Sequence, residues 1–242
     1  MFCGAASATN ATWYNTSIDK IGVSGGHTSL VLDSKGNPHI SYYDDNTESL
    51  KYSYKSGVKW YNETVDTGNV GRYSSIALDS FGNPFISYGD STNHYLKLAF
   101  KYSGSWYKEI MDTGGIHDTS LVLNSSNIPH ISYSDGFKLK YAVKNGSTWD
   151  IQIVDSKGSY VGMYNSLALD SLGNPHISYY DATNKKLKHI SYYNGVWFTE
   201  TVDTEKVGEY TSLKLDKSNN PHISYDDDVN CDLKYAYKIN GI

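Results

Sequence analysis

Arginine is nearly missing from this chain: Arg72 is the one arginine among 21 basic residues, set against 26 acidic ones and a formal net charge of -5. A nucleic-acid surface leaves a basic footprint, so that class of partner is excluded. Cysteine is almost as scarce. Cys3 and Cys231 suit neither a zinc site nor a disulfide framework, and one bridge between them is the most they allow. No apolar run approaches the ~18–20 residues of a membrane-spanning helix. The first dozen residues, MFCGAASATNAT, lack a basic region and a long apolar stretch, so they do not read as an intact signal peptide. Hydrophobic content is a modest 39%, yet aromatics reach 14% with 23 tyrosines, which a disordered chain would lack. Abundant Tyr and Thr point to β structure.

The scarce residues are also periodic. The five tryptophans, Trp13, Trp60, Trp106, Trp149 and Trp197, are spaced by 47, 46, 43 and 48. The five prolines, Pro38, Pro84, Pro129, Pro175 and Pro221, recur at similar intervals, so every Trp and Pro occupies a repeat slot. Each unit reads W-x-x-x-x-V-D, a loop, S-L-x-L-D, a turn, P-H-I-S-Y-x-D, a loop, then L-K-Y-x-Y. These are four short β segments separated by turn residues. In the turn before proline, the slot of Gly36, Gly82, Asn127, Gly173 and Asn219 admits only Gly or Asn. Those residues tolerate positive φ, so a tight hairpin is expected, with proline opening the next strand.

Five tandem four-stranded units without helix between them predict an all-β, five-bladed β-propeller of antiparallel blades. Residues 1–12 form an N-terminal extension, and the units run 13–59, 60–105, 106–148, 149–196 and 197–242. S-L-x-L-D is expected innermost and the Trp strand outermost. The last unit then lacks a Trp strand while residues 13–19 supply a spare one. The expectation is a ring closed by the Trp13 strand completing the last blade, which also removes two free edges. The unit resembles NHL- and YVTN-type blades, where an L-D-x-x-G-N hairpin joins the inner strands. In blade count and length, residues 13–242 resemble tachylectin-2-like lectins, although no tachylectin sugar-site sequence is present. The sialidase Asp-box is only approximated, because Asp33 and Gly36 stand in D-x-x-G and no Trp follows.

Several polar slots are filled alike in all copies, among them Ser41, Ser87, Ser132, Ser178 and Ser224. His39, His130, His176 and His222 share a slot with Phe85. A Ser-His-Asp triad is a poor reading of this pattern, since a nucleophile must be unique and these residues recur. A buried structural network fits better. Asp44, Asp90, Asp135, Asp181 and Asp227 lie across a loop from Lys51, Lys97, Lys140, Lys188 and Lys234. Cross-strand ion pairs are the modest reading, and a carboxylate ring able to hold Ca²⁺ is the alternative. No loop has D-x-D-x-D-G spacing, and no cofactor is expected.

The slot before the innermost strand holds His27, Tyr73, Asp118, Tyr164 and Tyr210, with Arg72 beside it. If the strand order holds, this slot rims the channel mouth. Tyrosine offers broad contact area at low entropic cost. Tyr73, Arg72, Tyr164 and Tyr210 are therefore the expected binding residues, with His27 and Asp118 as polar partners; packing of the channel is the bland alternative. N-x-S/T sequons at Asn10, Asn15, Asn62, Asn124 and Asn145 give weak support to an extracellular or cell-surface location. The favoured function is a non-enzymatic binding module for a glycan or other surface ligand. A subunit of a self-associating extracellular assembly comes second. A glycoside hydrolase-like enzyme comes last, because no asymmetric catalytic constellation stands out and one arginine cannot supply a sialidase triad.

Overall fold

The computed structural model describes residues 13–19 and 24–239. Among them are nineteen strands and no helix, in five antiparallel sheets. The first sheet holds β1 (Ser24–Leu32), β2 (Pro38–Asp44), β3 (Ser49–Ser56) and β4 (Lys59–Thr67). The second holds β5 (Val70–Leu78), β6 (Pro84–Asp90), β7 (Tyr95–Tyr102) and β8 (Ser105–Asp112). The third holds β9 (Asp118–Leu123), β10 (Pro129–Ser134), β11 (Leu139–Asn145) and β12 (Thr148–Asp155). The fourth holds β13 (Val161–Leu169), β14 (Pro175–Asp181), β15 (Lys186–Tyr193) and β16 (Val196–Asp203). The fifth has three strands, β17 (Glu209–Leu215), β18 (Pro221–Asp227) and β19 (Asp232–Tyr237). Spatial order follows chain order in every sheet, so these are the blades of a five-bladed β-propeller fold.

Turn chemistry follows the sequence pattern. Gly36 and Asn127 adopt φ of 79° and 61°, and the Asp33 carboxylate accepts the backbone N–H groups of Lys35 and Asn37, each at 2.8 Å. The first strands of successive sheets, β1, β5, β9, β13 and β17, pack side by side and are innermost. Between sheets, Leu50, Tyr52 and Val65 of the first pack on Ile76, Ile86 and Tyr88 of the second. Burying each such side chain is worth about 1.5–3 kcal/mol. Trp106 on β8 reaches back to the preceding sheet, where its ring meets Tyr52 edge-on at 5.4 Å and its Nε1–H donates to Glu63 at 2.7 Å. Trp197 donates likewise to Gln152 at 2.9 Å, and the Nε1–H of Trp149 is buried without a partner.

The repeated polar slots form the expected network. Tyr88 donates to Asp66 at 2.8 Å, and the Lys97 ammonium bridges Asp66 at 2.5 Å and Asp90 at 3.7 Å. Lys188 does the same between Asp155 at 3.2 Å and Asp181 at 2.7 Å. Each lysine thus ties its own sheet, through Asp90 or Asp181, to the preceding one, through Asp66 or Asp155, and its removal would strand carboxylates held away from water. His39 contacts the Tyr52 hydroxyl at 2.5 Å and His176 contacts His189 at 3.1 Å, in keeping with a structural role.

The ring closure expected of residues 13–19 is not drawn in this structure. That segment forms no strand and Trp13 is 98% exposed. Its far end rests on the first sheet, where Tyr42 donates to Asp19 at 2.8 Å and Asn62 to the Ile18 carbonyl at 3.0 Å. Cys231 is free and exposed, while Cys3 and Asn10 lie outside the described residues.

Candidate functional site

Four innermost strands begin with a break in register, between Gly26 and Ser29, Arg72 and Ser75, Met163 and Ser166, and Glu209 and Ser212. Inside each bulge sits one residue of the predicted slot. His27, Tyr73, Tyr164 and Tyr210 have φ of 51°, 57°, 52° and 50°. Left-handed backbone is disfavoured for side chains this large, by about 1–3 kcal/mol each. Bulges re-aim side chains, and strain of this sort clusters at functional sites. The third sheet departs from the pattern: Asp118 pairs regularly with Ser134.

The side chains gather in two groups. In the first, the Arg72 guanidinium lies 4.7 Å from the Tyr43 ring centre, and Nη2 is 3.5 Å from the Tyr43 hydroxyl. The His27 ring meets Tyr73 edge-on at 4.7 Å, and Tyr73 faces His117 at 6.3 Å. In the second, Tyr164 lies 4.4 Å from Tyr210 and 6.4 Å from Tyr180. Tyr164 and Tyr180 border a cleft of ≈ 360 Å³ lined also by Met163, Lys185, Glu209 and Asp228. Asp118 belongs to both neighbourhoods. It accepts the Tyr164 backbone N–H at 2.9 Å, and its charge acts on Tyr73.

Burial shapes the titration of this face. It pushes the Asp118 carboxyl up to about 6, against the Tyr164 N–H that favours the anion. Glu209 is raised by burial and then by Asp228 and Asp226. His27 is lowered by burial and by Arg72, in spite of Asp45. At neutral pH the face offers a neutral imidazole, tyrosine hydroxyls, one guanidinium, and a carboxyl poised near the pH at which proton transfer is efficient.

The six residues singled out in the sequence, Arg72, Tyr73, Tyr164, Tyr210, His27 and Asp118, all lie toward the start of the innermost strands. Tyr43, Tyr180, His117 and Glu209, which the sequence pattern did not single out, stand beside them. Tyr43 and Tyr180 occupy the x of S-Y-x-D, which lies opposite the bulge: Gly26 pairs with Tyr43, Arg72 with Gly89, and Met163 with Tyr180. That slot varies (Tyr43, Gly89, Ser134, Tyr180, Asp226) between invariant neighbours, a signal that was available. The carboxylates of the proposed ring are otherwise occupied. Asp44 accepts Asn46 N–H at 3.0 Å and the Thr47 hydroxyl at 2.8 Å, with Lys51 3.9 Å away. Among the described residues no group of three or more His, Cys, Asp or Glu is arranged to hold a metal ion.

No family profile matches the chain, and no curated protein matches it in sequence. Solved structures do. A PL25 ulvan lyase bound to -[GlcA(1-4)Rha3S]- superposes with a TM-score of 0.64 at 12% identity, over 88% of this chain and 66% of the lyase. A bifunctional GH43-CE protein from Bacteroides eggerthii gives 0.54 at 11% identity, over 90% of this chain and 34% of that one. An exo-β-1,3-galactanase from Clostridium thermocellum gives 0.50 at 9%, over 89% and 59%. The chain therefore spans less than two thirds of the length of each. At such identities the likeness shows a shared β-propeller fold. It also corrects the expectation that the chain is not an enzyme, because propellers of this build carry lyase and galactanase proteins. Repeat symmetry does not weigh against an enzyme, because a symmetric frame places no limit on chemistry at slots that differ, and the bulge slots differ.

Proposed function

We propose that this chain engages polysaccharide outside the cell through the bulge face, with Tyr73, Arg72, Tyr164 and Tyr210 as the contacting residues and His27 and Asp118 as polar partners. The carrying observation is the left-handed backbone at four large side chains, His27, Tyr73, Tyr164 and Tyr210, all at one end of the innermost strands. Strain held at matching positions, where glycine would relieve it, is accounted for by use of the side chains. Saccharide rings present apolar faces to aromatic rings and hydroxyls to donors and acceptors, and the face supplies both. The lyase, GH43 and galactanase proteins of the same fold support the substrate class.

A second reading is that the bound polysaccharide is cleaved, favoured by the Asp118 carboxyl held near 6 beside Tyr73 and Tyr164. Both readings are tested together. A polysaccharide panel is assayed for binding by calorimetry, and for release of reducing ends and of unsaturated products. Binding that a Tyr164→Ala, Tyr210→Ala variant loses while staying folded supports the site. Unchanged affinity in that variant removes it. Turnover abolished by Asp118→Asn, with binding kept, assigns Asp118 the proton-transfer role.

A further inference from the structure

One residue before each bulge residue lies a second slot, holding Gly26, Arg72, His117, Met163 and Glu209. No two copies agree there, although the serine three residues further on (Ser29, Ser75, Ser120, Ser166, Ser212) never changes. A position that packing does not dictate is open to selection by a ligand. Arg72 is the member of that slot with a fixed positive charge, and it is the one arginine of the chain.

The interior lysines are matched to carboxylates. Lys97, Lys140 and Lys188 each stand between two aspartates, and Lys101 and Lys144 each meet a glutamate. Arg72 is treated differently. It is half-buried, yet among the described residues no carboxylate stands at ion-pair distance from its guanidinium. Asp45 and Asp118 make their charge felt at His27 and at Tyr73, and neither closes on Arg72.

Its support is aromatic. The guanidinium lies on the Tyr43 ring of the preceding sheet, and Nη2 donates to the Tyr43 hydroxyl at 3.5 Å. That hydroxyl donates in turn to Asn69 at 3.1 Å, which fixes the ring beneath the charge. Across its own strand pair Arg72 faces Gly89, where Gly26 and Met163 face Tyr43 and Tyr180, so no ring opposes it there. Stacking holds the plane of the fork and commits a single N–H of the five, at Nη2.

A half-buried charge without a counter-ion is unfavourable, and folded chains pair such groups unless the partner comes from outside. The partner that fits here is an anion carried by the ligand. A planar carboxylate meets one edge of a guanidinium with two parallel N–H···O bonds. A sulfate ester spreads its charge over three oxygens and calls for donors on several sides, whereas the neighbours of Arg72 are tyrosine rings and the His27 imidazole, which burial keeps neutral. The chain as a whole is acidic, with 26 acidic residues against 21 basic ones, so its overall field repels a polyanion and a local cation has to supply the attraction.

We propose that Arg72 receives a uronate carboxylate, and that the polysaccharide engaged by the bulge face is an acidic one containing uronic acid residues. This rests on the proposed binding of polysaccharide at that face and adds the charge that the polysaccharide carries.

The test uses ligands in matched pairs. Polygalacturonate, alginate and hyaluronan are each compared by calorimetry with the same polymer after carboxyl reduction, and dextran sulfate is compared with dextran. At least one polyuronate should bind, and reducing its carboxyls should weaken binding about 10–100-fold, the range of a charge-assisted hydrogen bond. Arg72→Gln should lose as much against the intact polymer. Combining the variant with the reduced polymer should cost little more than either change alone, because both remove one interaction. Arg72→Lys keeps the charge without the fork and should fall between. Melting curves show that each variant is folded, and the comparison of intact with reduced polymer needs no variant. Equal affinity for intact and reduced polymers overturns the inference, as does an Arg72→Gln variant that binds polyuronate like wild type. The face nonetheless stays a polysaccharide site in either case if the Tyr164→Ala, Tyr210→Ala variant has lost binding. Dextran sulfate bound in preference to every polyuronate, and released by Arg72→Gln, overturns the inference too, since the anion recognised is then a sulfate. Binding of no polymer, charged or neutral, overturns the polysaccharide reading itself and this inference with it.

Discussion

Compare the histidine slot of the second strands with the bulge slot of the first. The histidine slot holds nearly the same residue throughout, and its side chains are tied within their own sheet: His39 to Tyr52, His176 to His189, His222 to Tyr235. The bulge slot holds His27, Tyr73, Asp118, Tyr164 and Tyr210, and four of these sit in strained backbone. One slot lowers the energy of the fold by satisfying itself. The other raises it locally, at His27, Tyr73, Tyr164 and Tyr210. Repetition marks what every blade needs for packing, whereas variation combined with strain sets this end of the molecule apart.

The comparison breaks first at the interior ion pairs. Lys188→Met strands the buried carboxylates of Asp155 and Asp181, and should destabilise by about 3–5 kcal/mol in urea unfolding. A loss under ~1 kcal/mol would mean these links carry no structural weight. His176→Ala comes next, at about 1–3 kcal/mol, with His176→Phe milder because Phe85 already occupies the slot in the second sheet. Lost polysaccharide binding with an unmoved melting curve would overturn the structural role.

Titration separates the buried histidines of the one slot from Asp118 of the other by sign. Burial pushes His130 and His176 down to about 4, so the folded chain prefers them neutral. The unfolded chain takes up protons near pH 6.5, so this contribution is whole above 6.5 and is lost as pH falls toward 4. Asp118, raised to about 6, runs the other way, and stability is gained as pH falls through 6 toward 4. Stability measured from pH 7 to 4.5 should flatten in a His130→Phe, His176→Phe variant. Asp118→Asn should be more stable than wild type at pH 7, with the difference shrinking toward pH 4.5. Smallest is the effect of Tyr210→Gly, which relieves a φ of 50° and should change stability by about 1 kcal/mol or less, in the stabilising direction. Polysaccharide affinity should nonetheless fall in that variant. Destabilisation by the glycine would show that Tyr210 serves packing.

Much of the fold is legible in residues 24–239 because its determinants are local. The Gly or Asn at Gly36 and Asn127, the proline that follows, and alternation through P-H-I-S-Y each act within a few residues. The six candidate residues of the bulge face were legible for a related reason, since their slot is defined by its distance from S-L-x-L-D. Tyr43 and Tyr180 show along the chain only as a variable slot between invariant neighbours; their place opposite the bulges comes from pairing across the strands.

By itself the sequence determined five repeats of four β segments, their order, the tight turns, and the polar slots that link one blade to the next, because each rests on near-neighbour chemistry repeated at fixed spacing. Only the tertiary structure decided three further matters. It placed His27, Tyr73, Tyr164 and Tyr210 in left-handed bulges, stacked Arg72 on Tyr43, and left Leu30 and Leu233 uncovered at opposite ends. Each depends on which strands and sheets come to lie side by side, since register across a strand pair, stacking across a junction and cover on an outer face are contacts between segments far apart in the chain that no single repeat encodes.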